Sequence, residues 1–117
     1  EANGVRGHVG LTADAPMFKD FGAKFEKEFK TKPDHNGIKG YFSAYMLKAA
    51  IEKAKSTDGK AIAAAMKNAC FKVKDNPGIL LDVCFDDKGD IDRESFLVEV
   101  KDGKQVVTQT LPMLNKR

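Results

Sequence analysis

The stretch His35–Ala54 reads HNGIKGYFSAYMLKAAIEKA. Apart from Gly37 and Gly40 near its start, it is the longest run in the chain without a proline or a turn cluster, and it is the most apolar. Ile38, Phe42, Tyr45 and Ala49 recur on one face of a helix, and Ala44, Leu47, Ile51 and Ala54 on a second. The polar positions are few: Ser43, Lys48, Glu52 and Lys53. A helix that is apolar around most of its circumference is a buried one, so this segment is expected to pack against several neighbours. The two glycines lower helix propensity and are expected to permit a close backbone approach or an unusual dihedral.

Working outward toward the N-terminus, Thr31-Lys32-Pro33-Asp34 stops a preceding helix, because the residue before a proline resists the α conformation. That helix carries Phe18, Phe21, Phe25 and Phe29 at spacings of one turn, a packing face rather than a ligand box. Its start is read at Thr12–Pro16, with Asp14 as the cap and Pro16 in the first turn. Val5–Thr12 is β-prone and reads as a short strand. Glu1-Ala2-Asn3-Gly4 reads as a linker entering it, which suggests a processed or truncated piece.

Toward the C-terminus, Ser56-Thr57-Asp58-Gly59 ends the central helix and caps a third, whose inner face is Ala61, Ile62, Ala65, Met66 and Ala69. Asn76-Pro77-Gly78 is a turn. Ile79–Phe85, ILLDVCF, reads as one strand buried on both faces. Asp86–Asp90 is a turn and Ser95–Val100 a strand. Asp102-Gly103 marks a hairpin, since both residues accept positive φ, with Val106–Thr108 returning. Leu111–Leu114 then leads into a basic tail, Asn115-Lys116-Arg117. Helices and hairpin are segregated in sequence, an α+β arrangement that also fits the edge of a larger mixed sheet.

With 117 residues, the chain is expected to form one module over 1–117 with its own core. Its 20 basic and 17 acidic residues are dispersed, and no basic run exceeds two adjacent residues, so no nucleic-acid footprint is present. No apolar run is long enough to span a bilayer. His8, His35, Cys70 and Cys84 do not pair at zinc-site spacings. A calcium loop starting at Asp86 would put Lys88 at a ligand position and Ile91 where glycine is required. There is no nucleophile elbow and no phosphate or dinucleotide fingerprint. These absences predict no metal, no cofactor and no enzyme. Cys70 and Cys84 have two readings. Composition slightly favours two free, semi-buried thiols acting as small hydrophobes. A disulfide between them is the alternative, favoured by an oxidising compartment.

What remains is His35-Asn36-Gly37-Ile38-Lys39-Gly40-Tyr41. It offers an imidazole, an amide and a phenol at a helix N-terminus, where free N–H groups and a partial positive charge suit a carboxylate. The competing reading makes Asn36 the helix cap, with His35 packed beside it.

Gly40-Tyr41, with Ala44, Leu47, Ala49-Ala50-Ile51 and Ala54, then the Asp58-Gly59-Lys60 break, resembles type I periplasmic binding proteins. The likeness is to the branch serving ABC importers of branched-chain and aromatic amino acids and related carboxylates. Asp14-Ala15-Pro16 before the Phe-rich helix, Pro77-Gly78 before a strand, Phe85-Asp86-Asp87-Lys88-Gly89-Asp90 and the Val100–Lys104 hairpin occur in the matching order. The resemblance implies an α/β fold: the C-terminal part of a two-lobed protein whose lobes are joined by three crossing segments. It implies non-catalytic capture of an amino-acid or carboxylate ligand by hinge closure, an ABC permease as partner, and a periplasmic location. It maps a ligand-lining position onto Asn36 or its neighbours, where many relatives carry an aromatic residue. His35, Asn36 and Tyr41 are therefore the candidate ligand-binding residues, with a polar or aromatic acid favoured over an aliphatic amino acid. A sensing domain of the same fold and a freestanding interaction module are the alternatives. Truncation would expose the Phe stripe or the Tyr41 helix and favour a homodimer or a swapped assembly.

Overall fold

The computed structural model describes residues 2–114, so the basic tail at 115–117 and Glu1 lie outside the described residues. The elements in order are β1 (Arg6–Val9), α1 (Lys19–Phe29), α2 (His35–Ala54), α3 (Gly59–Met66), β2 (Cys70–Phe71), β3 (Val83–Phe85), β4 (Ile91–Arg93), β5 (Ser95–Lys101) and β6 (Lys104–Leu111). No helix among the described residues is long and apolar enough to cross a membrane. The chain divides into two compact units, residues 1–39 with 94–112, and residues 40–93 with 113–117. It passes from one to the other at 39/40, 93/94 and 112/113.

The first unit is built on an antiparallel sheet in the order β1-β5-β6. Phe96 and Val98 of the central strand are buried while Ser95, Leu97 and Glu99 are half-buried, the alternation of a strand with one face on a core. Phe96 meets Phe18 edge to face at 6.3 Å between ring centres, and both are fully buried. β5 and β6 join through Asp102 and Gly103, at φ +50° and +73°, the left-handed pair that a two-residue hairpin requires. A register shift between Leu97 and Val98 gives β6 a bulge at Thr108.

The Phe stripe is only partly a core. Pro16–Phe18 is a 3-10 turn, and α1 follows without a side-chain cap. Asp14 does not cap the helix as expected: it is engaged with Thr12, whose hydroxyl also accepts from Gln105 Nε2 at 2.8 Å. Phe18 and Phe21 are buried, but Phe29 is 62% exposed and stacks along the helix on Phe25. Lys30 ends α1 in the left-handed conformation, as the Lys32-Pro33 signal predicts.

In the second unit, the antiparallel sheet β2-β3-β4 carries Cys70 directly opposite Cys84. The two form a disulfide with their Cα atoms 4.0 Å apart, which corrects the free-thiol reading. Neither β2 nor β4 is evident from the sequence, because each is only two or three residues long. The expected strand over 79–85 is also shorter than its apolar pattern suggests. Pro77–Ile79 winds into a 3-10 turn and Leu80 takes φ +64°, so extended pairing starts only at Val83. Asp82, the one polar residue of the run, accepts from the Val73 N–H at 2.9 Å and pairs with Lys72 at 3.3 Å. The α3 reading holds except at its end: Asp58 Oδ2 accepts from the Ala61 N–H at 2.9 Å, and Ala61, Ile62, Ala65 and Met66 are half-buried, but the helix stops at Met66 and Ala69 is buried beyond it.

The central helix departs most from expectation. α2 buries a single stripe, Ile38, Phe42, Met46 and Ala49-Ala50, recurring every third or fourth residue. Leu47 (53% exposed) faces away from that packing, Ala44 is exposed, and Tyr45 (41%) is only partly covered at the edge of the stripe. Counting apolar positions predicted two buried faces. Among the described residues one is well covered, with Met46, absent from the expected face, on it; of the other, Ile51 and Ala54 are half-buried and Ala44 and Leu47 exposed.

Candidate functional site

The N-terminus of α2 is set by Asp34. Its Oδ1 accepts from the backbone N–H groups of Asn36 and Gly37, both at 2.9 Å, and its carbonyl accepts from Ile38 at 3.2 Å. This is N-cap geometry, and it replaces the reading in which Asn36 is the cap. The Gly37 N–H above all, against the opposing effect of desolvation, and then the Asn36 N–H, the nearby imidazole of His35 and the Asn36 side chain, hold the Asp34 carboxyl below its ordinary value. The first-turn N–H groups expected to receive a ligand carboxylate are thus engaged by a carboxylate of the chain itself. Asp34 had been read only as the end of α1, although an aspartate immediately before a helical run is a standard start signal.

His35 and Asn36 are exposed on that first turn, within the first unit. Tyr41 is on the same helix and belongs to the second unit. At 3.6 residues per turn, the six positions from His35 to Tyr41 amount to roughly 240°, so the helix does not put Tyr41 on the face of His35. Gly37 has neither a positive φ nor a tight neighbour: a Cβ there would meet Pro33 and Phe25 at 3.5 and 3.6 Å, ordinary contact. Gly40 faces open space. The expectation of a special backbone conformation at either glycine does not hold.

Tyr41 has a partner that the sequence reading grouped with the core. Tyr45, one turn later, lies 4.8 Å from it between ring centres at a 39° tilt. A hydrogen bond with Tyr45 raises the Tyr41 phenol above its ordinary value, with desolvation adding to it. Both rings are about two-fifths exposed. The Tyr45 ring lies against Gly78, where an added Cβ would overlap the ring. Here glycine is required by close approach. The i, i+4 spacing of two tyrosines was the available signal for this pair.

Among the described residues, two open depressions lie in the first unit. One, of about 550 Å³, is lined by Arg6, Leu97, Glu99 and Gln109; the other, of about 490 Å³, by Asp14, Lys19, Gln105 and Thr110. Among the described residues no three His, Cys, Asp or Glu side chains gather as a metal site.

Three carboxylates respond to pH in the same direction. Asp34, Asp82 and Asp86 are all held below the ordinary value of 3.8, chiefly by the N–H groups of Gly37, Val73 and Asp90 respectively. A depressed folded-state pKa contributes stability that is present above the unfolded-state value and is lost as pH falls through the folded one. The chain is therefore expected to keep this contribution at neutral pH and to lose it below pH 3.8. Urea unfolding at neutral pH and at pH values below that point checks this, and Asp82→Asn should flatten part of the acid slope.

The geometry defines a mixed fold with a capped helix start and an exposed aromatic pair. Comparison with known proteins gives it a class. A family model described as "Periplasmic binding protein" matches residues 2–105. A periplasmic binding protein from Burkholderia mallei superposes with a TM-score of 0.76 at 18% identity, over 95% of this chain and 31% of that one. A leucine binding protein from Thermotoga maritima gives 0.70 at 22%, again over 95% and 31%. The solute binding protein of an ABC transporter from R. palustris, solved in complex with benzoate, gives 0.69 at 21%, over 97% and 31%. The chain belongs to the periplasmic binding protein family, type I, and spans about a third of the length of these solved relatives.

Proposed function

We propose that the chain is part of a solute-binding component of an ABC importer, acting in the periplasm with a permease as partner and doing no covalent chemistry. The observation that supports this reading is the family match over residues 2–105 together with the shared fold. The ligand class proposed is an amino acid or an aromatic carboxylate, the kind of molecule named for the leucine and benzoate relatives. His35 and Asn36, exposed on the first turn of α2, are the polar contacts proposed for the ligand. Asp34 refines their role. Since it occupies the Asn36 and Gly37 N–H groups, ligand contacts from this turn come from side chains rather than from a bare helix N-terminus.

The chain covers 31% of its relatives' length, and the reading assigns the remaining cleft wall to sequence outside this stretch. Calorimetric titration of the 117-residue chain with leucine, phenylalanine and benzoate is expected to show no micromolar binding. The same titration of a longer protein carrying this stretch is expected to show it for one of them, weakened about tenfold, or ~1.4 kcal/mol, by Asn36→Ala. Micromolar binding by the 117-residue chain alone would overturn the incomplete-cleft reading.

A further inference from the structure

We propose that Asn36 is a latent deamidation site of this chain, and that the Asp34 carboxylate keeps it closed. The chain contains two Asn-Gly pairs, Asn3-Gly4 and Asn36-Gly37. In such a pair the glycine has no Cβ to shield its own nitrogen or to restrict its backbone. Once that nitrogen loses its proton to water or hydroxide, it can attack Cγ of the asparagine. An N–C bond forms, the bond from Cγ to Nδ2 breaks, and ammonia leaves. The cyclic imide then takes up water at one of its two carbonyls and opens to aspartate or to isoaspartate. The step consumes only water.

The two pairs are closed in different ways. The Gly4 N–H donates to the Val100 carbonyl at 2.8 Å, and Asn3 Oδ1 accepts from the Gly103 N–H at 3.2 Å. Both partners there are backbone groups of the β5–β6 hairpin, so Asn3-Gly4 is held by the sheet. At Asn36-Gly37 the attacking nitrogen is held by one side chain. The Gly37 N–H donates to Asp34 Oδ1 at 2.9 Å, and the Asn36 N–H donates to the same oxygen at 2.9 Å. Taking the Gly37 proton would set an amide anion against a carboxylate, and a like charge at this range opposes it. The contact also keeps Asn36 in the first helical turn. There the Cα–Cβ bond leans toward the helix N-terminus, which carries the side-chain amide away from the Gly37 nitrogen. Burial supplies little protection, because Asp34 and Asn36 are exposed and Gly37 is half-buried. Isoaspartate would add a backbone atom to the turn that leads into the fully buried Ile38, and either product puts a second carboxylate close to Asp34. None of this requires Asn36 to touch a ligand.

Incubation of the 117-residue chain at mildly alkaline pH, then tryptic digestion and mass spectrometry, reads conversion at Asn3 and Asn36 in one sample. Both are expected to convert slowly in the folded wild type and quickly in guanidinium chloride. Asp34→Ala should speed Asn36 about tenfold and leave Asn3 unchanged, the order expected when a hydrogen bond to a charged group no longer has to break before attack. Asp34→Ser keeps a neutral cap oxygen and should fall between. Gly37→Ala added to Asp34→Ala should restore the slow rate, and its Cβ would meet Pro33 and Phe25 only at ordinary contact distances. A wild type whose Asn36 converts as fast folded as in guanidinium overturns the proposal, and so does an Asp34→Ala variant with the wild-type rate at Asn36. Equal acceleration of Asn3 and Asn36 would mean that Asp34→Ala has unfolded the unit, and Asp34→Ser then carries the test. Faster conversion at Asn36 alone in that variant supports the proposal, and any other pattern overturns it.

Discussion

Replacing Cys70 and Cys84 together by alanine lowers the stability of the second unit by about 3 kcal/mol, the chain-entropy value for a loop of this size. The bridge spans a sequence separation of 14. Between its ends lie the 3-10 turn, the left-handed Leu80 and the Asp82 contacts, which the closed loop keeps near their folded arrangement in the unfolded chain. Alanine is the better probe than serine, because Cys84 is buried and a hydroxyl there would add its own desolvation. The chain has no tryptophan and only two tyrosines, Tyr41 and Tyr45. Both lie in the same unit as the disulfide, so tyrosine fluorescence during urea unfolding reads this unit directly. Reduction of the wild type should reproduce most of the double variant's shift, and a thiol assay should find no free thiol before reduction. A loss below about 1 kcal/mol would mean that the bridge constrains little beyond what β2 and β3 already hold.

That disulfide also shows where the sequence stopped being legible. The pair becomes readable only when Cys70 is recognised as a strand residue opposite Cys84, and β2 is two residues long. No periodicity can be detected over so short a span. The hairpin between β5 and β6 was legible because Asp102-Gly103 encodes its turn locally, and α3 was legible because Asp58 encodes its start. The extent of β3 was not. Its apolar run is continuous from Ile79 to Phe85, apart from Asp82, and only the backbone at Leu80 divides turn from strand. Burial of α2 was half legible. Its composition gives two apolar faces, and composition alone cannot tell which is covered.

At the start of α2 the helix was legible but its cap was not. The start of α2 was found from its residue types, but Asp34 was assigned to the preceding helix, so the carboxylate that engages the helix N-terminus was overlooked. Tyr45 was grouped with Ile38 and Phe42 by spacing, whereas it pairs with Tyr41 and covers Gly78. Both errors have one cause. Helical spacing assigns residues to faces, and only the neighbours decide what each face does.

Truncating Phe96 to alanine is expected to cost the first unit 3–5 kcal/mol, the range for a fully buried aromatic. Phe96 is completely buried on the central strand of its sheet, and its ring meets the equally buried Phe18 at a 74° interplanar angle. The sheet is held in register on both sides, with Phe96 opposite Val9 of β1 and Thr110 of β6. A cavity at this point is therefore lined by paired backbone that cannot readily collapse into it. Phe29→Ala is the matched control: it removes the same side chain from a site that is 62% exposed and should change stability by no more than about 0.5 kcal/mol. Phe18→Ala alone should approach the Phe96→Ala loss. The two together should cost less than the sum of the singles, because they empty one shared space. Urea unfolding followed by far-UV circular dichroism measures all four variants. A Phe96→Ala loss no larger than the Phe29→Ala loss would show that the edge-to-face pair is not the packing centre of the sheet. Strict additivity of the Phe18 and Phe96 losses would show that the two rings fill separate sites.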